Sequence, residues 1–390
     1  MSWPLIALKD LVDINIGRTP SRDNADYWGN GTPWLSIRDM NQGKILLKTA
    51  EQITPQAFED TKIGLATKGT VLFSFKLSIG KVGIAGLDMC HNEAIASMPI
   101  KKGVDLCEEY LYFALKQLDS SKDTDRAVMG ATLNKKKMAE LKIPLPPLET
   151  QKQIAAVLEK ADQLRKDCLQ MEQELNSLAQ SVFIDMFGDP VTNPKGWKTT
   201  SLSAIASIQL GKMLSSKSKQ NVNPKKYLRN ANIQWREIGT ADLLEMDFNE
   251  KEIKKFQLQR GDLLVCEGGE IGRCAIWNEQ VQDCYYQKAL HRVRVNPQLV
   301  TPEYLQEYFF WMAKLGGLVN STNEVTFKHL TAEKMNKLKV PLAPIATQKD
   351  FSSIYTSIRR KLDINAEMMI ETEASFNSVM QKAFKGELNL

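Results

Sequence analysis

The chain has 390 residues, 43% hydrophobic and 25% charged, with a formal net charge of +5. That length suggests two or three domains, each half long enough to bury its own core, and the mild positive charge tilts toward a polyanionic partner. The six cysteines form no Cys-x-x-Cys and the three histidines complete no finger spacing, so zinc is not expected and the thiols read as those of a reduced, cytoplasmic protein. No apolar run approaches the ~18 residues of a membrane span, and Met1-Ser2-Trp3-Pro4 lacks the basic start of a secretory leader.

The first globular stretch reads as α+β. Val71 to Phe75 is a short β-type run with Gly69 before it and Gly80 after it, the latter placed for a tight turn. Tyr110 to Leu118 has the apolar face of a helix. A proline-rich joint, Lys142-Ile143-Pro144-Leu145-Pro146-Pro147-Leu148-Glu149-Thr150-Gln151-Lys152, opens a heptad-like segment. Its seam runs Val157, Ala161, Leu164, Cys168, Met171, Leu175, Leu178 and Val182, the pattern of a helix packed along a partner helix. Thr150 and Gln153 are placed for a capping box and Gly188 for a stop, giving a rod roughly 57 Å long at ~1.5 Å per residue.

The second half repeats this plan. Asp262 to Cys266 is a strand run, Gly272 marks a turn, and Tyr304 to Leu315 reads as a helix. The joint recurs as Lys339-Val340-Pro341-Leu342-Ala343-Pro344-Ile345-Ala346-Thr347-Gln348-Lys349, with seven of eleven positions identical. A second rod follows on Phe351, Ile354, Ile358, Leu362, Met369, Phe376 and Met380, interrupted at Ala366 and Glu373, with Thr347 and Asp350 in capping positions and Gly386 beyond its end. Further pairs keep order and offset: Trp3 with Trp197, Gly17 with Gly211, Trp34-Leu35 with Tyr227-Leu228, Ile79-Gly80-Lys81 with Ile271-Gly272-Arg273, and Thr132 with Thr326. Such a register is the mark of duplication. The expected architecture is two similar α+β domains with short-stranded sheets, 1–147 and 189–344, joined by two long antiparallel coiled-coil helices, 148–188 and 345–390, in a pseudo-two-fold arrangement.

Pro144-Leu145-Pro146-Pro147-Leu148 with Gln151 and Ile154, Gly261-Asp262-Leu263-Leu264 with Gly272-Arg273, and Tyr227-Leu228-Arg229-Asn230-Ala231-Asn232-Ile233 resemble the specificity subunits of type I restriction-modification systems. The resemblance covers nearly the whole chain, twice over; Ala343 departs from it where the first joint has a proline. It implies two target-recognition domains and a bipartite double-stranded DNA target with a non-specific gap. It also implies a complex with two adenine methyltransferase subunits and with restriction translocase-nuclease subunits, where S-adenosylmethionine, ATP and magnesium would be used.

The missing motifs point to a non-catalytic chain. Gly268-Gly269-Glu270-Ile271-Gly272-Arg273 lacks the lysine and hydroxyl of a phosphate loop, and neither Asn193-Pro194-Lys195-Gly196 nor Asp189-Pro190-Val191 supplies the Asn/Asp-Pro-Pro-aromatic motif of an amino-methyltransferase. Candidate DNA contacts are the polar and basic residues that flank the turns. In the first globe they are Arg18, Thr19, Ser36, Arg38, Lys76, Ser78, Lys81 and Asn92. In the second they are Lys212, Arg229, Asn232, Arg236, Arg273, Gln287 and Lys288. Lys135, Lys136 and Lys328, just before the joints, are candidates for phosphate. Arg and Lys suit guanine, Asn and Gln suit adenine, and other contacts set register on phosphate, while a solvated surface charge is the competing role for each. Trp34, Tyr227 and Trp235 fit domain core better than base stacking. The copies differ most at these polar positions, Ser36 aligning with Arg229, so two specificities and an asymmetric target are expected. The rival reading is a coiled-coil scaffold with two protein-binding domains and no DNA.

Overall fold

The computed structural model describes residues 3–76, 78–120, 133–318 and 330–388. It resolves into two compact units: Met1–Leu169 with Glu367–Leu390, and Gln170–Ala366. Both boundaries fall inside the two long helices, so each unit owns one globe, the start of one helix and the end of the other.

Unit 1 begins with β1 (Leu5–Ala7), α1 (Leu8–Leu11), β2 (Asn15–Ile16), β3 (Trp28–Leu35), β4 (Ile45–Leu46), β5 (Glu51–Ile53) and α2 (Pro55–Thr61). It continues with β6 (Val71–Ser74), β7 (Val82–Ala85), β8 (Cys90–His91), β9 (Ile95–Met98), α3 (Glu108–Ser120), α4 (Lys135–Glu140), β10 (Lys142–Pro144) and the long α5 (Leu148–Phe187), which runs on into unit 2. The strands form sheets in the orders β2-β9-β6-β7-β4, β5-β3-β8 and β1-β10. β6 is buried along its length because both faces are covered. Val71 and Phe73 join α3 and the long helices in one core, while Leu72 points into a second core with Leu35, Leu46 and Ile95.

Unit 2 holds β11 (Thr199–Ser201), α6 (Leu202–Ile205), β12 (Ala206–Leu210), β13 (Pro224–Leu228), β14 (Ile233–Gln234), β15 (Glu237–Ile238), β16 (Leu244–Asp247) and α7 (Glu250–Phe256). Then come β17 (Leu263–Cys266), β18 (Cys274–Ile276), β19 (Tyr285–Tyr286), β20 (Leu290–Val295), α8 (Pro302–Lys314), α9 (Ala332–Lys337), β21 (Lys339–Pro341) and α10 (Ile345–Lys385). The orders β12-β20-β17-β18, β16-β13-β19 and β11-β21 reproduce those of unit 1, and a small β14-β15 hairpin stands where unit 1 has β4. Leu263 and Val265 face one core and Leu264 and Cys266 the other, the same alternation as in β6.

The joint is built twice from the same atoms. Gln151 Oε1 accepts from the Cys107 amide, and its Nε2 donates to the carbonyls of Asp105 and Pro146, at 2.9–3.0 Å. Gln348 repeats this with the Thr301 amide and the carbonyls of Leu299 and Ala343. Tyr110 donates its hydroxyl to the Pro144 carbonyl at 2.7 Å and Tyr304 does so to Pro341. The first tryptophan of each globe caps the end of the arriving helix: Trp3 Nε1 donates to the Ala383 carbonyl, 3.2 Å, and Trp197 Nε1 to Phe187, 3.0 Å. Gly188 ends α5 at φ +80° with its amide on the Ile184 carbonyl, 2.8 Å, as a left-handed helix stop requires.

Within each unit the two long helices run in opposite directions. In unit 1, Ile154, Ala155 and Leu158 of α5 share a core with Phe376, Met380, Ala383 and Phe384 of α10. In unit 2 the ring of Phe351, near the start of α10, packs against Phe183 and Phe187 at the end of α5, at 5.6 and 5.3 Å.

Two details differ from the sequence pattern. Val157, Leu164, Met171 and Leu178 of the heptad seam are exposed, while the buried row is Ile154, Ala155, Leu158, Cys168, Ala179, Phe183 and Phe187. A straight helix drifts about 20° per heptad, and α5 lies on its globes as well as on α10, so the seam rotates toward Gln151 and Ile154. Ile354 is likewise exposed, and Tyr355 takes the buried position. The expected caps are also displaced: α5 starts at Leu148 and α10 at Ile345, which puts Thr150 and Thr347 inside the first turn. The following glutamines satisfy the joint instead. Glu373, which breaks the apolar pattern, answers Arg165, whose Nε lies 2.9 Å from its carboxylate and whose guanidinium sits over Phe376.

Candidate nucleic-acid interface

In unit 1 four loops converge at one end of the sheets. Ser36 closes the turn after β3, its amide and hydroxyl both donating to Asp39 Oδ2 at 2.8 and 2.7 Å. The Asn92 amide donates to the Leu35 carbonyl, 3.1 Å, and the Arg18 amide to the His91 carbonyl, 2.9 Å. Lys81 Nζ donates to the Ile37 carbonyl, 3.3 Å. Gly17 permits this approach, since a Cβ there would lie 2.0 Å from the His91 carbonyl oxygen. These bonds draw the loops of Arg18, Ser36, Lys81 and Asn92 together.

Unit 2 repeats the convergence on the same backbone groups. The Arg229 amide donates to Asn232 Oδ1, 2.8 Å, as Ser36 does to Asp39. The Gln287 amide donates to the Leu228 carbonyl and the Lys212 amide to the Tyr286 carbonyl, both 3.1 Å. Arg273 Nη2 donates to the Asn230 carbonyl, 3.1 Å, in the role of Lys81. A Cβ on Gly211 would lie 2.3 Å from the Gln287 carbonyl oxygen. Gly80 and Gly272 adopt φ +94° and +80° in the turns that carry Lys81 and Arg273, conformations that side chains rarely take.

Many of the candidates are committed inside the protein. Asn232 is buried and gives its amide to the Gly239 carbonyl and to Asp242. Lys212 holds the Asp247 carbonyl and Glu252, both at 2.6 Å. Arg229 holds Asp242, and Arg273 lies 3.6 Å from Glu270. Thr19 donates to Glu93, Arg18 to the Thr61 carbonyl, and Asn92 Oδ1 accepts from the Ala94 amide.

Arg236 is a correction to the sequence reading. It is no surface cation but half of a buried bidentate pair, Nε to Glu307 Oε1 at 2.6 Å and Nη2 to Oε2 at 2.7 Å, with its guanidinium 3.8 Å from the Phe310 ring centroid. Burial opposes its charge, yet the hydrogen bonds and charge of Glu307 prevail and hold its pKa above the usual arginine value. Its backbone, at φ +67°, aims the side chain inward from the β14-β15 turn.

Arg38, Lys76 and Ser78 remain exposed in unit 1, and Lys288 in unit 2, with Gln287 half-buried before it in the chain. Among the described residues no acid pairs with Arg38, Lys76 or Lys288. Lys135 and Lys136 stand exposed on the first turn of α4, which packs on α1, and Lys328 lies outside the described residues. Trp34 and Tyr227 are core, and Trp235 is half-buried with its Nε1 on Glu270, 2.6 Å. Two histidines are held neutral by burial: His91 is pushed down to about 4, and His291 is lowered from its ordinary value.

A model of the type I restriction modification DNA specificity domain matches residues 2–178 and again 194–374. The chain belongs to that family. A curated relative, the type I restriction enzyme MjaIX specificity subunit of Methanocaldococcus jannaschii, is 24% identical over all of this chain and 94% of its own length. The EcoBI specificity subunit of Escherichia coli is 22% identical over 99% of this chain and 86% of its own length. Among solved structures, the S subunit from M. genitalium superposes with a TM-score of 0.60 at 14% identity, covering 98% of this chain and 96% of that one.

As a specificity subunit the chain is non-catalytic. Among the described residues no cluster of three or more His, Cys, Asp or Glu could hold a metal, and no helix is long and apolar enough to cross a membrane. Sequence reasoning missed the acids that tie the candidate bases down: Asp242, Glu252 and Glu307. It also missed Lys44, which pairs with Glu159 of α5 and lies 5.6 Å from the Phe113 ring centroid. The repeat held a signal for this pair, because Phe113 aligns with Glu307 and Lys44 follows Asp39 much as Arg236 follows Asn232. Each copy sends one cation toward equivalent positions, Lys44 over Phe113 of α3 and Arg236 onto Glu307 of α8.

Proposed function

We propose that the converged loops of each unit enter a groove of double-stranded DNA and read one half of a bipartite, asymmetric target. The observation that carries this reading is the repetition of the same backbone bonds around different side chains: Ser36 against Arg229, and Asn92 against Gln287. A scaffold kept constant under varied polar residues suits two recognition specificities. Arg38, Lys76, Gln287 and Lys288 are the side chains free to meet bases or phosphates, and Lys135, Lys136 and Lys328 are assigned to phosphate. Residues 1–147 and 189–344 act as the target-recognition domains, with 148–188 and 345–390 as spacer helices.

The complex comprises two adenine methyltransferase subunits and restriction translocase-nuclease subunits, in the cytoplasm. S-adenosylmethionine, ATP and magnesium serve those partners, and base flipping with methyl transfer takes place there. Apolar side chains left exposed on α5, such as Val157 and Leu164, belong to the partner-facing surface.

Co-expression with a methyltransferase subunit tests this. The complex should bind one bipartite sequence selectively, with affinity falling as salt rises, and the isolated chain should methylate nothing. Binding without sequence selectivity or salt dependence favours the protein-scaffold reading.

A further inference from the structure

One loop of unit 2 differs in chemistry from its counterpart in unit 1. From Gly211 to Lys226 the chain carries five lysines and no acid, whereas residues 17–32 balance Arg18 and Arg22 against Asp23 and Asp26. At the head of this basic segment Met213 is 61% exposed and Leu214 42%. The aligned residues of unit 1 are Thr19, bonded to Glu93, and Pro20, which is buried.

The apolar pair is held between two fixed points. On one side the Lys212 amide donates to Tyr286, its carbonyl accepts from the Lys288 amide at 2.7 Å, and its ammonium is tied to Glu252. On the other, Ser215 and the buried Ser218 close a turn, the Ser215 amide donating to Ser218 Oγ at 2.9 Å and the Ser218 amide to the Ser215 carbonyl at 3.0 Å. Two adjacent apolar side chains are thereby presented to solvent next to Gln287 and Lys288. Single exposed apolar residues need no explanation, but a restrained pair on a segment without acids of its own, where Lys212 and Lys225 are held by Glu252 and Asp283, marks a contact site and suits a polyanion with an apolar interior. Duplex DNA offers this, with phosphates outside and stacked bases within, and Met and Leu are side chains that wedge between base steps.

We propose that Met213 and Leu214 form an apolar wedge that presses against a base step in the half-site read by unit 2, partly unstacking it, with no equivalent in the half-site read by unit 1. The inference rests on the DNA-recognition reading above. It makes the two half-sites differ in deformability as well as in sequence.

The test uses the full chain with its methyltransferase partners and a duplex carrying the target found by methylation sequencing. 2-Aminopurine is stepped through both half-sites. Besides the adenine that the methyltransferase flips in each half-site, wild type should raise fluorescence at one further step, in one half-site only. The double variant Met213→Ala with Leu214→Ala should abolish that rise and weaken specific binding about tenfold or more, with an unchanged salt slope. Met213→Gln with Leu214→Gln should do the same while unfolding at the wild-type temperature. A double variant that keeps affinity, sequence preference and fluorescence overturns the wedge. So does a variant whose defect is failure to co-purify with the methyltransferase, which would make the pair a protein contact. If wild type itself lacks salt-dependent, sequence-selective binding, the DNA reading and the wedge fall together.

Discussion

Arg236 and Glu307 face each other in a two-bond, buried pair, 2.6 and 2.7 Å, across the gap between the β14-β15 turn and α8. Removing one partner strands a buried charge, which typically costs about 3–5 kcal/mol, whereas replacing both with apolar residues of similar volume is often near neutral. Arg236→Met and Glu307→Leu should each lower the unfolding midpoint of unit 2 sharply, and the double variant should recover most of the loss. Denaturant titration of the three variants checks this. DNA affinity, measured where each variant is folded, should stay at the wild-type value.

The glutamines of the joint should be equivalent in energy as they are in geometry. Gln151→Ala leaves the Cys107 amide and the carbonyls of Asp105 and Pro146 without their partner, and Gln348→Ala does the same to Thr301, Leu299 and Ala343. Each should cost about 2–4 kcal/mol, since buried polar groups left unsatisfied are expensive. Calorimetry of both variants should give similar losses; a loss in one alone would break the equivalence of the two joints.

Acid should destabilise the fold through its buried histidines. His91 in the folded chain titrates at about 4, against an ordinary value near 6.5, because burial disfavours the charged ring. Between these values the unfolded chain binds a proton that the folded chain does not, so stability falls as pH drops from about 6.5 to about 4 and then levels off. The contribution is at most ~3 kcal/mol. His91→Gln should flatten this part of the stability profile without changing stability at pH 8 by a comparable amount.

The long helices should act as a ruler. Four residues inserted into α5 after Leu169 and four into α10 after Ala366 add ~6 Å to each helix, close to two base-pair steps. Methylation sequencing should then recover the same half-sites with a longer gap. An unchanged gap would remove the ruler role.

Much of the architecture was legible because it was written twice. Trp3 and Trp197, Gly17 and Gly211, and Gln151 and Gln348 align in sequence and make matching contacts in the fold. Ser36 and Arg229 even predict the same turn, though only the amide is shared. The phase of the heptad was not legible. Val157 and Leu164 fit an apolar seam as well as Ile154 and Leu158 do, and only the globe beneath α5 selects between them. Nor could sequence tell a free cation from a spent one. Arg229, Lys212 and Arg236 look as available as Arg38, yet the acids that hold them are 13, 40 and 71 residues away.

The central claim is that each loop end reads its own half-site, and methylation sequencing of the assembled complex tests it most directly. Arg38→Ala with Lys76→Ala should relax or shift one half-site and leave the other unchanged. Gln287→Ala with Lys288→Ala should do the reverse. Both pairs acting on the same half-site, or neither altering the recognised sequence, would contradict the account.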